Sequence, residues 1–355
     1  MTILHFASIN DYMFSGVCVA VPQHITSQGE FADVGLVNLK NYRVPHIDNQ
    51  FDFSDNFKIN ELPAPFNKPD IVVFHEVYRV EYLKIYPMLL RKKIPYVIIP
   101  HGELRKEAQQ KKKLKKTVAN ILLFNRFINY AAAIQCLSQL ELDSSNFGKN
   151  KFIGTNGVCI TDKKKETFNN EKIDFVYIGR LEARVKGLDL LIEAARIKSE
   201  SLKQNNATIY IYGPDLNGRF ANVRSLIKEN GVEDIVKLKH EVIGEEKEKI
   251  ILDADAFIQT SRFEGMPMGI LEALSYGVPC LVTKGTNLAE FITENNCGWG
   301  CETTVAEIAK TLETVIAEKE TLQQKSVAAR QAIENNFDWD IVSKQTVEYY
   351  KNLCR

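Results

Sequence analysis

The sequence predicts an α/β protein made of two doubly wound domains, and three observations lead there. Its 355 residues exceed one ordinary hydrophobic core and suit two domains of usual size. Short apolar runs alternate with helical patterns along most of the chain, which gives parallel strands joined by crossover helices. Residues 163–172 are polar and charged, without apolar periodicity, and read as an interdomain linker. The expected division is therefore 1–162, the linker 163–172, 173–337, and a last helix over 338–355.

Composition removes several function classes. Lys plus Arg and Asp plus Glu are 45 each, so no global field draws the chain to nucleic acid, and an electrostatic partner must be met locally. Seven cysteines, without CxxC pairs or His-Cys clusters, argue against a disulfide framework and a zinc site. A reducing cytoplasm fits that usage. The first residues lack a basic segment followed by a long apolar core, and no run approaches the ~18 apolar residues that read as a membrane span.

In chain order, residues 3–7 read as the first strand, and Gly16 opens a helix after the loop 8–15. The fingerprint GxGxxG is absent, which disfavours a nicotinamide enzyme. Strands are also expected at 33–39, 71–74, 96–99 and 133–136, with helical patterns such as 80–91 between them. His75 and His101 fall at strand ends, where parallel sheets bind ligands; a structural hydrogen bond is the alternative role for each. Residues 105–116 carry seven basic side chains and one acid, Glu107. They run into Leu114, Val118, Ile121, Leu122 and Ile128, with Leu123, Phe124 and Phe127 widening the apolar stripe. A basic amphipathic helix of this kind reads as a contact for a membrane surface or an anionic acceptor. A solvated basic face over a buried stripe is the alternative.

In the second domain a strand at 175–178 leads to Gly179, Arg180 and Leu181, followed by Lys186 and Gly187. Further strands are expected at 208–212, 235–238 and 279–283, and the pattern beyond Gly298-Trp299-Gly300 reads as helical. Residues 255–260 form another strand, and 261–274 turn through a loop into a helix. Pro267 suits its first position, where a missing N–H costs nothing. Glu264 then lies in the loop and Glu272 about one turn into the helix, with the backbone N–H groups of Met268 and Gly269 between them. Carboxylates accept hydrogen bonds from vicinal hydroxyls, and a helix N-terminus attracts phosphate. A ligand with sugar hydroxyls on both sides of a diphosphate, a nucleotide sugar, fits that order. Cleaving the sugar from the diphosphate builds negative charge on the leaving oxygen, which two fixed cations such as Arg180 and Lys186 stabilise without a metal. The triplet Asp253-Ala254-Asp255 has DxD form, but it opens a strand, and no metal is assigned to it.

These residues resemble a known family. Ser261-Arg-Phe-Glu264-Gly-Met-Pro-Met268 leading to Leu271-Glu272-Ala273 is similar to the Glu-x7-Glu motif of retaining glycosyltransferase family 4. Gly179-Arg180-Leu181, Lys186-Gly187-Leu188, His101-Gly102, the segment 138–141, Asn156-Gly157-Val158 and the polysaccharide-assembly type element 285–289 match its other landmarks. The resemblance implies the GT-B fold: two Rossmann-like domains facing a cleft, with the last helix returning to the first domain. It implies a metal-independent hexosyltransferase using an NDP-sugar, of UDP-hexose or UDP-N-acetylhexosamine type, as substrate and no cofactor. The acceptor would be a hydroxyl of a glycan or lipid-linked glycan in cell-surface polysaccharide synthesis.

It also assigns roles. Glu272 would bind the ribose and Glu264 the donor hexose. Arg180, Lys186 and the Met268/Gly269 helix end would hold the diphosphate, with Gly265 and Met266 in the donor loop and Gly16 covering it. His101 would orient the sugar or acceptor. Glu264, His101, Arg180 and Lys186 form the expected catalytic set. The chain departs from the family at Ser15, where a second loop glycine is usual, and at His240, where a glycine is common. The expected location is cytoplasmic, with peripheral contact at the inner membrane face through 105–128. An NDP-sugar epimerase of the same fold, and a non-catalytic nucleotide-binding subunit, are the alternatives.

Overall fold

The structure, a computed structural model, describes residues 1–12, 15–110, 113–168 and 171–355. It divides into two compact units, Met1–Gly157 with Trp339–Arg355, and Val158–Asp338. Each is built on one wholly parallel sheet.

The first sheet contains β1 (Thr2–Ala7), β2 (Asp33–Asn38), β3 (Gln50–Asp52), β4 (Ile71–His75), β5 (Tyr96–Ile99), β6 (Ala133–Cys136) and β7 (Lys151–Ile153). Their order is β3-β2-β1-β4-β5-β6-β7. The second contains β8 (Ile173–Ile178), β9 (Ala207–Tyr212), β10 (Val236–Lys239), β11 (Ala256–Gln259), β12 (Cys280–Thr283) and β13 (Gly298–Cys301), in the order β10-β9-β8-β11-β12-β13. Both sheets therefore reverse direction once, between β1 and β4 and between β8 and β11. In such sheets the crevice at the carboxyl ends of the two strands flanking the reversal takes the ligand.

Continuous apolar runs make these strands because helices cover both faces. All six residues of β1 are buried, as are all of β4, β5, β11 and β12. In the first unit, Phe74, Tyr82, Tyr96 and Phe127 pack together, and the Tyr96 hydroxyl donates to the Phe127 carbonyl at 2.6 Å. In the second, Phe175, Ile209 and Ile258 from the sheet meet Leu191 and Leu312 from the helices Leu188–Ile197 and Val305–Ala317. The helix Trp339–Leu353 belongs to the first unit and packs on the helix Gly16–Gln28. Ser27 and Ser343 share a 2.6 Å hydrogen bond there, and Trp339 Nε1 donates to Gln23 Oε1 at 3.1 Å.

Several expectations are corrected. Strands β3 and β7, three residues each, carry too few apolar side chains to be seen in the sequence. Strand β13 is not among the expected strands: its glycines leave no apolar run, yet it pairs in register with β12 from Cys280↔Gly298 to Thr283↔Cys301, and the helical pattern begins after it at Val305. Residues 163–172 group with the second unit. Of these, 169 and 170 lie outside the described residues, and Lys165 is buried with Nζ 3.8 Å from Asp255 Oδ1. Pro267 stands one residue before its expected place, as the cap of a helix Met268–Ser275.

The basic stretch runs into helices Lys113–Ala119 and Asn125–Asn129, joined by a wider π-helical turn over Asn120–Phe124. Residues 111 and 112 of that stretch lie outside the described residues, as do 13 and 14 of the first loop. The apolar stripe is not buried as a unit. Asn120, Phe124, Phe127 and Ile128 face the core, while Val118, Ile121, Leu122 and Leu123 are exposed. Among the described residues, no helix is long and apolar enough to cross a membrane.

Candidate functional site

The second unit gathers its charged residues where the sheet reverses. Strand β8 ends at Ile178, so Gly179 and Arg180 leave its carboxyl end. Strand β11 ends at Gln259, so the loop 260–267 leaves beside it. Lys186 closes the short helix Ala183–Lys186, and Gly187 follows with φ +65°. A Cβ on Gly187 would stand 1.8 Å from the Thr260 carbonyl oxygen. Only glycine fits that approach. It lets the two loops touch, and Thr260 Oγ1 donates to the Gly187 carbonyl at 2.9 Å.

This contact brings Lys186 and Glu264 together. Lys186 Nζ lies 2.6 Å from Glu264 Oε1, with both side chains largely buried. The same oxygen accepts from Ser261 Oγ at 2.6 Å and Gln259 Nε2 at 2.8 Å. A carboxylate oxygen that accepts from three donors is fixed in place. Its backbone is fixed as well, because Asn287 Nδ2 donates to the carbonyls of Glu264 at 2.7 Å and Gly265 at 2.8 Å. Gly285 permits this, since a Cβ there would meet the Ser261 carbonyl at 2.2 Å. The element 285–289 therefore acts as a clamp on the acidic loop.

The helix Met268–Ser275 begins three residues after that loop glycine and carries Glu272, which pairs with Lys247 of the helix Gly244–Asp253. Met266 is buried. Arg180 Nη1 reaches Glu182 Oε1 at 3.4 Å, and Arg219 Nη1 reaches the same oxygen at 2.8 Å. Arg262 makes a bidentate pair with Asp189 at 2.6 and 2.8 Å, which ties the acidic loop to the helix after Gly187. Sequence reasoning missed Lys247 and Arg219, since nothing in spacing shows which helix side chain will meet which acid, and it gave Gln259 and Ser261 no partner although both stand in the strand and motif it read. Asp255 sits at the amino end of β11, with Oδ2 accepting the Asp174 N–H at 2.8 Å. That is a structural role at the opposite end of the strand. Among the described residues, no group of three metal-ligating side chains occurs.

In the first unit, His101 follows β5 with φ +49°, a left-handed conformation that side chains other than glycine seldom take. The turn is pinned by Glu141, which is buried and accepts the N–H groups of Gly102 at 2.6 Å and Leu137 at 2.7 Å. Burial raises the Glu141 carboxyl despite those two bonds. Ser138 caps the helix Gln139–Ser144 by accepting the Glu141 N–H at 3.2 Å. His101 Nε2 bonds to His75 Nδ1 at 3.0 Å, and burial with the neighbouring His24 lowers its pKa to about 3. Gly16 opens its helix on the surface, with open space where a Cβ would stand.

Residues 160–332 match the sequence model of the family Glycosyl transferases group 1. An amylovoran biosynthesis glycosyltransferase, AmsK of Erwinia amylovora, is 28% identical over 192 residues, 52% of this chain and 46% of that protein. The chain spans about half the length of the curated relatives it matches. Among solved structures, a sucrose-phosphate synthase from Thermosynechococcus elongatus superposes with a TM-score of 0.77 at 13% identity, covering 99% of this chain and 98% of that one. HepE of Anabaena, solved in complex with UDP, gives 0.74 at 18%, covering 99% and 100%. At these identities the two structures speak to the fold, and both share its pair of parallel-sheet domains.

Proposed function

The second unit is a glycosyl transferases group 1 domain in a chain of GT-B fold, and from that premise we propose a retaining hexosyltransferase acting on an NDP-sugar of UDP type. The acceptor in this reading is a hydroxyl of a glycan or lipid-linked glycan in cell-surface polysaccharide synthesis. The relatives named for amylovoran and colanic acid biosynthesis support that direction. One observation carries the reading: Lys186 and Glu264 meet at 2.6 Å where the second sheet reverses, beside a helix start that leads to Glu272.

Glu272 takes the ribose hydroxyls and Glu264 the hydroxyls of the donor hexose, as acids do with vicinal hydroxyls. Arg180, Lys186 and the first turn of the helix Met268–Ser275 hold the diphosphate, with Gly265, Met266, Met268 and Gly269 along it. As the glycosidic bond breaks, the charge on the departing phosphate oxygen is met by these cations, already in place and partly shielded from water. They supply the charge a metal supplies elsewhere. Glu264 is loaded with three donors on one oxygen, which suits it to holding hydroxyls and weakens it as a nucleophile. Same-face displacement follows, with the leaving phosphate helping to deprotonate the acceptor. From the first unit, Gly16 is assigned to the diphosphate and His101 to the sugar or acceptor. The test is a panel of UDP- and GDP-sugars offered with lipid-linked glycan acceptors. Transfer from one donor with retained anomeric configuration is expected; donor epimerised without any acceptor would contradict it.

The exposed row Val118, Ile121, Leu122 and Leu123 favours a second part of the reading, peripheral contact with an anionic membrane. Their fractional exposures of 51, 66, 72 and 47% lie directly after the basic run 105–116. Lysines near an anionic leaflet contribute about 1 kcal/mol each, and each inserted apolar side chain about 1.5–3 kcal/mol. Leu122→Glu is expected to weaken binding to phosphatidylglycerol-containing vesicles about tenfold or more in a flotation assay. Unchanged flotation would remove this part.

A further inference from the structure

The first unit clusters four of the six histidines of the chain, with His5, His24 and His75 buried and His101 half-buried, and three of them form a line of hydrogen bonds. His5 on β1 is fully buried, with Nε2 3.0 Å from Gln28 Oε1 and Nδ1 2.9 Å from His75 Nε2. His75 at the end of β4 continues the line from Nδ1 to His101 Nε2 at 3.0 Å. The rings of His5 and His75, and of His75 and His101, stack at 5.2 and 5.3 Å between centroids. Burial lowers the pKa of His5 to about 3 and that of His75 well below its ordinary value. Near neutral pH each ring therefore carries one proton, donating once and accepting once. A line of such rings has only two arrangements, and whichever holds at one end holds throughout.

Gln28, the last residue of the helix Gly16–Gln28, decides between them through its contact with His5. His24 Nε2 donates to Asn156 Oδ1 at 3.0 Å, so the buried Nδ1 of its neutral ring is an acceptor. Among the described residues, Gln28 Nε2 and His24 Nδ1 are both buried without a hydrogen-bond partner, so the direction of the line is set by Gln28 Oε1 on His5 Nε2, an oxygen that only accepts. With Gln28 Oε1 on His5, the protons sit on Nε2 of His5, of His75 and of His101.

We propose that Gln28, His5 and His75 act as a tautomer lock that holds His101 with its proton on Nε2 and its Nδ1 lone pair outward, as an acceptor for a hydroxyl. Gln28, His5 and His75 are positioning residues, and only His101 would touch a ligand. That the hydroxyl belongs to the transferred sugar or its acceptor rests on the transferase reading above; the lock itself does not. It gives His101 one-sided chemistry: it selects an O–H donor at a defined place and offers no proton of its own there.

The test is nitrogen-15 NMR of the full chain labelled at histidine, at pH 7, where six rings are to be assigned. The lock requires His101 in the Nε2-protonated form. Gln28→Met, similar in length but without the acceptor, is expected to spread the His101 proton over both nitrogens, and Gln28→Glu to restore the single form. His101 protonated at Nδ1 in the unaltered protein, or a His101 signal that Gln28→Met leaves unchanged, would overturn the lock. Should Gln28→Met fail to fold, the tautomer in the unaltered protein decides. In a transfer assay Gln28→Met is expected to lower turnover about tenfold, on the scale of one hydrogen bond, with UDP affinity unchanged. Complete absence of transfer with every NDP-sugar would instead count against the transferase reading, and the NMR result would still judge the lock.

Discussion

The two sheets of this chain share one winding order and differ in what stands at the end of their strands. At the reversal of the second sheet the groups are charged and paired: Lys186 with Glu264, Lys247 with Glu272, and Arg180 and Arg219 on Glu182. At the reversal of the first sheet they are neutral imidazoles, His5 and His75, leading to His101. The backbone provides the same crevice twice. Charged side chains suit it to an anionic ligand, and neutral ones to hydroxyls. The lesson is that winding order gives the place of binding, while the residues after each strand decide its chemistry.

The largest expected effect tests the charged end. Lys186→Ala should lower turnover at least ~10²-fold, the scale of losing one preorganised transition-state donor, in a radiolabelled sugar-transfer assay. Near-normal turnover would break the contrast, since a charged end with no role in leaving-group stabilisation would be merely structural. Glu272→Ala should come next, raising the Kd for UDP about tenfold or more, as expected for hydrogen bonds to a charged group. An unchanged Kd would move the ribose elsewhere.

The neutral end is read through acid. His5 and His24 have pKa values lowered by burial to about 3 and about 4, and burial holds His75 well below the ordinary value of 6.5. The unfolded chain therefore binds protons below pH 6.5 that the folded unit refuses. Their contribution to stability is complete above pH 6.5 and is lost as pH falls toward about 3. Each fully buried histidine should cost on the order of a kcal/mol per pH unit across that window. The chain has two tryptophans, Trp339 in the first unit and Trp299 in the second. In a Trp299→Phe variant the Trp339 signal reports the first unit alone, and its urea midpoint should fall steadily from pH 6.5 to 4. A flat midpoint would mean the histidines are not buried and neutral as described.

Much of this was legible in the sequence, for physical reasons that also mark where it stopped. Strands buried on both faces leave apolar runs, so β1, β4, β5, β8, β11 and β12 stood out. Strands β3, β7 and β13 are short edge or near-edge elements whose pairing comes from neighbours, so their own residues carry little signal. The motif around Glu264 and Glu272 announced the acidic loop, while the close approach at Gly187 showed only in the folded chain. The partners of those acids were hidden. Lys247 lies on a helix and Asn287 in a later loop, and only the folded chain brings them back. The basic helix taught the reverse lesson: a stripe read as one face splits at a π-helical turn, burying Phe124 and Phe127 while Ile121 and Leu122 stay outside. The histidine line was half visible, as two strand-end residues, His75 and His101. His5 and Gln28 looked like ordinary members of a strand and a helix.

The central claim is that the charged end of the second sheet holds the diphosphate of a nucleotide sugar. Calorimetric titration of UDP into the full chain, its Lys186→Ala variant and its Arg180→Ala variant tests this most directly. The account predicts one site per chain, with affinity weakened at least tenfold by either substitution. UDP bound equally well by all three proteins would contradict it.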